Sequence, residues 1–371
     1  MFTELFEKYN WEEVKARILA ADESDVRRSM NLERFEAEDT LPLFSPAAGN
    51  MLEEMAGLSS RITRMRFGNT IQLYTPLYIS NECSNSCLYC GFNRTNDIRR
   101  ITLTPEQVEA EAEEIFNKGF RHVLLLTGEH RGAVPVEKLA EIGQRIHQRF
   151  ASVSIEVYPM ETDEYEIMAA NGIDGLTIYQ ETYNRETYAV MHPAGKKSDF
   201  NYRLEGPDRG GKAGLRKIGI GALLGLADWR TEGFFTALHA LYLAQTYWRT
   251  HIMVSFPRMR EAPGGFNPPL IVDDRSLTQL LCAMRIILPD AGLVLSTREP
   301  AELRDNMFPL GVTMMSAGSK TEPGGYTGMD AADEQFHIED NRSPDEIARI
   351  IASKGFDPVW KDWDRDFLDA V

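Results

Sequence analysis

The sequence predicts a complete (β/α)8 barrel, in which eight parallel strands alternate with helices. Short apolar runs bounded by Gly, Pro or polar residues recur from about residue 71 onward, as buried parallel strands do. Stretches of helical periodicity separate these runs over about 250 residues, the usual length of such a barrel. The 371 residues leave room for extensions at both ends. We therefore expect an N-terminal helical extension over 1–70, the barrel over 71–320 and a C-terminal extension over 321–371.

Before the barrel, residues 1–70 are expected to be helical, with a loop over 39–50 and an amphipathic helix over 51–66. The predicted strands cover residues 73–80, 122–127, 153–158, 176–180, 217–222, 252–256, 293–296 and 312–315. The predicted helices between them cover residues 105–118, 136–150, 163–171, 185–191, 229–247, 276–288 and 300–306. A long insertion, 195–214, precedes the fifth strand.

Two helix starts are visible as capping patterns. Thr104-Pro105-Glu106 has a capping hydroxyl, a first-position proline and an early carboxylate. Ser343-Pro344-Asp345-Glu346 repeats the pattern and predicts a helix in the C-terminal extension. That extension ends in aromatic residues, which we expect to pack on the barrel. They are Trp360, Trp363 and Phe367.

Composition and charge narrow the classes of function. No run approaches the roughly 18 apolar residues of a membrane span. The net charge of −16 argues against a nucleic-acid partner. The N-terminus lacks the basic and apolar regions of a signal peptide, and clustered thiols belong in a reducing compartment, so a cytoplasmic location is expected.

The charge is locally reversed before and after the first strand. Between residues 61 and 100 there are few acidic residues but six arginines, which we call the basic collar: Arg61, Arg64, Arg66, Arg94, Arg99 and Arg100. Such a collar could dock an acidic electron donor such as a flavodoxin or ferredoxin. Pairing of these arginines with nearby acids inside the fold is the alternative, and the sequence leaves both open.

Three of the four cysteines lie within eight residues, as Cys83, Cys87 and Cys90 in CSNSCLYC, directly after the first predicted strand. Iron–sulfur clusters are normally held by four thiolates, so three imply an exchangeable ligand on the fourth iron. A structural zinc site needs four closed ligands. A disulfide framework fits poorly with so few, clustered cysteines. Cys282 lies in an apolar helical run and is expected in the core.

Polar residues follow the predicted strands, where the active site of such a barrel lies. Glu156 and Glu181 end the third and fourth strands and could bind hydroxyl or ammonium groups, or pair with barrel arginines. Several arginines follow strands six and seven: Arg258, Arg260, Arg298 and Arg304. Converging arginines suit a bidentate clamp on the carboxylate of a free amino acid, although ion pairs with neighbouring acids are the alternative.

The Cys-x3-Cys-x2-Cys loop after a strand resembles the radical S-adenosylmethionine (SAM) enzymes. The resemblance implies a [4Fe–4S] cluster on Cys83, Cys87 and Cys90, with SAM on the open iron and cleaved to a 5′-deoxyadenosyl radical. It also implies that several further residues bind SAM. They are Tyr89 beside the adenine, Gly128 and Glu129 at the amino group, Glu156 and Glu181, and Arg216 at the carboxylate.

Longer strings resemble the 2-iminoacetate synthases, tyrosine lyases of thiamin thiazole formation. They are PLYISNECSNSCLYCGF, YQETY, SFPRMR and SAGSKTEPGGY. The resemblance implies cleavage of the Cα–Cβ bond of L-tyrosine to p-cresol and dehydroglycine, after loss of a hydrogen from the amino group. It implies that Arg298 clamps the tyrosine carboxylate, that Ser319 and Arg304 also belong to the catalytic site, and that a thiazole synthase is the partner.

Three other functions would account for part of the sequence. The hydrogenase-maturation tyrosine lyases carry further cysteines in a C-terminal extension, whereas no cysteine follows Cys282 here. A tryptophan lyase of the nosiheptide type stays open, because the sequence does not show which side chains select a phenol over an indole. A non-catalytic iron–sulfur carrier would explain the cysteines, but not the polar residues at the strand ends.

Overall fold

The computed structural model describes residues 1–329 and 332–361. The strands are β1 (Thr70–Ser80), β2 (His122–Thr127), β3 (Ser152–Glu156), β4 (Gly175–Glu181), β5 (Lys217–Ala222), β6 (His251–Ser255), β7 (Gly292–Leu295), β8 (Met314–Ser316) and β9 (Asp357–Val359). Strands β1 to β8 pair in parallel in chain order, and β8 also pairs with β1, which closes the barrel. The predicted (β/α)8 fold is confirmed.

Helices surround this barrel. They are α1 (Phe2–Phe6), α2 (Trp11–Ala20), α3 (Glu23–Met30), α4 (Ala37–Thr40), α5 (Pro46–Asn50), α6 (Leu52–Phe67), α7 (Pro105–Asn117), α8 (Val136–Ile146), α9 (Thr162–Ala170), α10 (Arg185–Met191), α11 (Phe200–Leu204), α12 (Gly206–Lys212), α13 (Trp229–Thr246), α14 (Asp274–Ile287), α15 (Ala301–Met307) and α16 (Pro344–Ser353). The side chains of Thr104 and Ser343 cap α7 and α16 as predicted. In the described ranges, no helix is both long and apolar enough to cross a membrane.

The segment 39–50 is not a loop, contrary to the sequence prediction. It contains the end of α4, a 3-10 turn over Leu41–Phe44 and the helix α5. Ser45 accepts a hydrogen bond from the backbone N–H of Ala48, and a proline opens α5, so the polar and Pro residues that suggested a loop are helix caps. The 3-10 turn is buried in the core.

The C-terminal segment continues across the barrel. Strand β9 pairs in parallel with the first residues of β1, and Trp360 contacts the ring of Phe120 with centroids 5.2 Å apart. Trp363 and Phe367 lie outside the described residues, so their predicted packing on the barrel stays a prediction. The division of the chain at residues 70 and 320 also stays a prediction.

Small residues line much of the barrel interior. Bulky branched side chains usually fill this space in such barrels. Here Ser152, Ser154, Thr177 and Gly219 face a space of about 470 Å³ in the middle of the barrel. Side chains therefore leave part of the barrel interior unfilled beneath the carboxyl ends of the strands.

Candidate active site

The cysteine loop leaves the carboxyl end of β1 and lies against the end of β2. The backbone N–H and hydroxyl of Ser84 both donate to the carbonyl oxygen of Glu129, at 3.1 and 2.7 Å. A Cβ atom at Gly128 would lie only 2.3 Å from the carbonyl oxygen of Glu82. Only glycine permits this approach. Gly128 is therefore needed to let the cysteine loop lie against the end of β2, independently of any contact with a ligand.

The three cysteines of the loop are free thiols. Burial and nearby negative charge raise the pKa of Cys83 to about 11, and burial also raises the pKa values of Cys87 and Cys90. Such thiols lose their protons when a cationic metal centre binds them. Gln335 donates to the Sγ of Cys90 at 3.6 Å, a contact of the kind that tunes iron–sulfur clusters.

The donor set fits an iron–sulfur cluster. In the part of the chain that the structure describes, no three His, Cys, Asp or Glu side chains are arranged around a single metal ion. A cubane [4Fe–4S] cluster needs three thiolates that are spread apart, since each thiolate binds a separate iron. Cys83, Cys87 and Cys90 are therefore the residues that would hold the cluster. As predicted, Cys282 is buried, within α14.

Glu129 braces the cysteine loop through both carboxylate oxygens. Oε2 accepts from the Nδ2 of Asn85 at 2.9 Å, and Oε1 accepts from the Nη1 of Arg203 at 2.8 Å. Because both oxygens already have protein partners, a direct contact of this side chain with the SAM amino group stays a prediction.

Glu181 ends β4 with φ of 69°, the one left-handed residue other than glycine among those described. Its Oε1 accepts from Lys197 Nζ at 2.6 Å and lies 3.5 Å from Arg203 Nη2. Burial would raise the pKa of Glu181, but these two cations outweigh burial and lower it. Strained backbone of this kind persists where surrounding contacts enforce it, often at functional sites.

Sequence reasoning missed Lys197 and Arg203, both in the insertion that precedes β5. A Cβ atom at Gly195 would lie 2.1 Å from the side-chain oxygen of Asn85, so the insertion is pressed against the cysteine loop. The φ of Gly195 is 98°, which favours glycine. The glycine and the adjacent lysines were the available sequence signal for this contact.

Tyr89 is held in place by His192. Burial lowers the pKa of His192 to about 3, so the ring is neutral. Its Nδ1 lies 2.8 Å from the carbonyl oxygen of Tyr188 and therefore carries the proton. Nε2 is left to accept a hydrogen bond from the Tyr89 hydroxyl at 2.8 Å. The Tyr89 ring thus stands at the wall of a cavity in a fixed orientation.

Two cavities meet at the carboxyl ends of the strands. The loop-side cavity, of about 540 Å³, is lined by Tyr89, Cys90, Glu181, Lys197 and neighbouring residues. The lumen cavity, of about 550 Å³, enters the barrel past Tyr74, Leu124, Ser255 and Ser319. Residues that line both cavities mark their junction: Glu156, Tyr179, Pro257, Arg298, Gln335 and Phe336.

Arg298 and Ser319 present unused polar groups to the lumen cavity. The guanidinium of Arg298 lies 3.3 Å from the centroid of the Phe336 ring, and it makes no hydrogen bond or ion pair within residues 1–329 and 332–361. The buried hydroxyl of Ser319 likewise finds no hydrogen-bond partner among the described residues. Both groups are available to a polar ligand.

Glu156 is the titratable group at the junction. Burial raises the pKa of Glu156 to about 7, and the charge of Glu181 adds to this, while Arg298 opposes it. A carboxyl group that titrates near neutrality inside a cavity is typical of an acid–base site.

Two predicted site residues lie elsewhere. Arg216 comes just before β5, at the amino end of the barrel, and donates through Nε to Asp174 at 2.9 Å, so its predicted contact with the SAM carboxylate is wrong. Arg304 is completely buried against Asp340 and the carbonyl oxygen of Ser316. It lines neither cavity, so its predicted catalytic role is also wrong.

For the other arginines after the strands, the two alternatives were a place in the active site and a structural ion pair, and the structure shows both. Arg258 donates to Asp274 at 2.8 Å, and Arg260 donates to Glu299 at 2.8 Å, as structural ion pairs. Arg260 still lines the loop-side cavity. In the basic collar, Arg100 donates hydrogen bonds to four backbone carbonyl oxygens of the cysteine loop and its flanks.

Comparison with known proteins agrees with this geometry. Residues 77–238 match the Radical SAM superfamily, and residues 255–357 match the Biotin and Thiamin Synthesis associated domain. The chain is 43% identical to the 2-iminoacetate synthases of Escherichia coli (strain K12) and Salmonella typhimurium (strain LT2), over 98% of this chain and 97% of each relative.

Solved structures give the same result. The FeFe-hydrogenase maturase HydG from Carboxydothermus hydrogenoformans is 32% identical, with a TM-score of 0.82, covering 96% of this chain and 82% of that one. A second HydG structure has a TM-score of 0.85 at 30% identity, covering 96% of this chain and 78% of that one. Together with the near-complete match to curated relatives, these likenesses show that the chain belongs to the 2-iminoacetate synthase family of radical SAM enzymes.

Proposed function

We propose that this protein is a lyase that cleaves the Cα–Cβ bond of L-tyrosine, giving 2-iminoacetate (dehydroglycine) and p-cresol for thiamin thiazole biosynthesis. The observation that carries the proposal is the 43% identity to 2-iminoacetate synthases over 98% of the chain. Cys83, Cys87 and Cys90 would hold a [4Fe–4S] cluster, and SAM would occupy the adjoining loop-side cavity. When bound, the cluster and SAM supply one-electron reduction and hydrogen-atom abstraction.

The residues of the junction suit an amino-acid substrate. Arg298, with no ion-pair partner among the described residues, would bind the carboxylate in the bidentate manner typical of arginine. Ser319 would donate a hydrogen bond to the same end of the substrate. The amino group would then lie between the lumen cavity and the loop-side cavity, where positioning would decide which hydrogen is taken.

Glu156 would accept a proton from the substrate ammonium. Because the pKa of Glu156 is raised to about 7, its carboxylate form becomes dominant only as the pH rises past that value. We expect kcat/KM for L-tyrosine to rise with pH through about 7 in the wild type. In the Glu156→Gln variant, this rise of kcat/KM with pH should disappear, and kcat should fall by about 10²-fold. A Glu302→Gln variant, which alters an exposed carboxylate on α15, is the control. An unchanged pH profile in Glu156→Gln would remove Glu156 from the mechanism.

The reaction is tested with the reconstituted protein under oxygen-free conditions. With SAM and dithionite, L-tyrosine should accelerate formation of 5′-deoxyadenosine and yield p-cresol. Stimulation by L-tryptophan alone would identify the tryptophan-lyase alternative instead. If SAM is not cleaved under any condition, the protein is an iron–sulfur carrier.

Partners and location belong to the same proposal. A thiazole synthase would consume the unstable imine, and a flavodoxin or ferredoxin would supply the electron. Within the basic collar, the exposed Arg94 and Arg99 follow the cysteine loop and support an acidic donor there. Arg66 instead pairs with Asp290 at the amino end of the barrel, and Arg100 is committed to the fold. Reduced, clustered thiols support a cytoplasmic location.

A further inference from the structure

The lumen cavity continues below Arg298 to a floor inside the barrel. Four hydroxyl groups form this floor, and we call them the hydroxyl floor: Tyr74, Tyr179, Ser255 and Ser316. The Oγ of Ser255 donates to the carbonyl oxygen of Val294 at 3.3 Å, and the Oγ of Ser316 accepts from the backbone N–H of Thr297 at 2.9 Å. Tyr74 lies opposite Ser316 in the β1–β8 pairing, and Tyr179 and Ser255 flank Gly221 on its two sides. Each pair joins a residue of one strand to a residue of another, and Leu124 adds an apolar wall.

The Tyr179 ring of the floor packs closely against β5, where a glycine replaces a side chain. A Cβ atom at Gly221 would lie 1.9 Å from the carbonyl oxygen of Ser255 and 3.0 Å from the ring of Tyr179. A Cβ atom at Gly219 would lie 2.8 Å from the hydroxyl of Thr177. Glycine at position 221 therefore permits Tyr179 to lie against the barrel wall, and glycine at position 219 leaves room for Thr177 of the neighbouring strand.

The two tyrosines of the floor are neutral hydrogen-bonding groups. Burial raises the pKa of Tyr74 to about 12, with a further contribution from the charge of Glu156. Burial likewise raises the pKa of Tyr179 well above its usual value. A neutral hydroxyl can both donate and accept, so the floor matches another hydroxyl group better than it matches a charged one.

We propose that the hydroxyl floor receives the phenol of the substrate and hydrogen-bonds its hydroxyl group, which selects L-tyrosine over L-phenylalanine. This inference rests on the proposed function, since it places the substrate carboxylate at Arg298. With the carboxylate there and the amino group facing the loop-side cavity, the side chain extends down the lumen cavity, past Leu124, to the floor.

The expected discrimination is moderate. Sites that leave a buried polar group unpaired can reject an analogue lacking a hydroxyl by 10⁴-fold or more. Here the hydroxyl groups of Ser255 and Ser316 already bond the backbone, so phenylalanine loses hydrogen bonds to the floor without leaving these two groups unpaired. We therefore expect a preference for L-tyrosine over L-phenylalanine of about 10- to 100-fold from this contact.

The test compares binding of L-tyrosine and L-phenylalanine to the reconstituted holoenzyme with SAM, by equilibrium dialysis, and measures kcat/KM for L-tyrosine. In Tyr74→Phe and Tyr179→Phe, the ratio of the two dissociation constants should fall about 10-fold or more in at least one variant, through weaker binding of L-tyrosine. Tyr326→Phe is the matched control, because it removes a buried hydroxyl that bonds Thr75 and the carbonyl oxygen of Pro76 and lines neither cavity.

The outcomes separate the two proposals. If the wild type neither binds nor cleaves L-tyrosine, the proposed function fails. If the wild type cleaves L-tyrosine but both variants keep the wild-type binding ratio, the hydroxyl floor is not the phenol site. Should either tyrosine variant fail to fold, Ser255→Ala and Ser316→Ala remove the two serine hydroxyls of the floor with less loss of packing and decide the question by the same ratio.

Discussion

The Cys87→Ala variant is expected to lose both the iron–sulfur chromophore and all SAM cleavage. Cys87 is the most buried of the three cysteines in the loop, with 4% of its surface exposed. A thiolate deleted at this position leaves one iron without a ligand in a site where water is largely excluded. Iron and sulfide content after anaerobic reconstitution, the visible absorbance, and 5′-deoxyadenosine formation measure the effect.

Cys282→Ala is the matched control for this experiment. It also removes a buried thiol, but from α14 in the helical layer rather than from the cysteine loop. We expect it to bind iron and cleave SAM as the wild type does. Full iron content and activity in Cys87→Ala would show that another residue serves as the third ligand.

Arg298→Ala is expected to uncouple SAM cleavage from tyrosine cleavage. The variant loses the guanidinium that would bind the substrate carboxylate, and removal of one partner of a buried charge pair costs about 3 kcal/mol. We therefore expect kcat/KM for L-tyrosine to fall by about 10²- to 10³-fold, while slow, tyrosine-independent formation of 5′-deoxyadenosine continues. Arg298→Lys should recover part of the loss, because an ammonium keeps the charge without the bidentate geometry.

Arg216→Ala provides a control at the other end of the barrel. Arg216 pairs with Asp174 before β5, far along the strand from the cavities, so KM values for SAM and L-tyrosine should stay at wild-type levels. A large rise in KM for SAM would reinstate Arg216 as a SAM ligand. Unchanged tyrosine kinetics in Arg298→Ala would remove the carboxylate clamp from the mechanism.

The sequence indicated the barrel and the cysteine loop because both depend on local patterns. Short apolar runs locate strands, and the loop carries its ligands within eight residues. The roles of arginines depend instead on partners that are distant in the chain. Arg304 meets Asp340 and Arg216 meets Asp174, and neither pairing has a local signal. Strand-end position alone therefore overestimates how many arginines reach the site.

The bracing of the cysteine loop was also invisible in the sequence. Lys197 and Arg203 lie in an insertion that has no strand of its own, and only folding places them against Glu129 and Glu181. Phe336 was missed for a related reason. It belongs to the C-terminal segment, which was expected to pack on the barrel, yet it covers Arg298 at the junction of the cavities.

Gln335 closes the cysteine loop from a position 245 residues later in the chain than Cys90. Its backbone carbonyl oxygen approaches Gly91 so closely that a Cβ atom there would lie 2.3 Å away. A ribosome releases the cysteines long before it releases this segment, and domains fold as synthesis proceeds. The contacts of Gln335 with the cysteine loop therefore form only after nearly the whole chain has been synthesised.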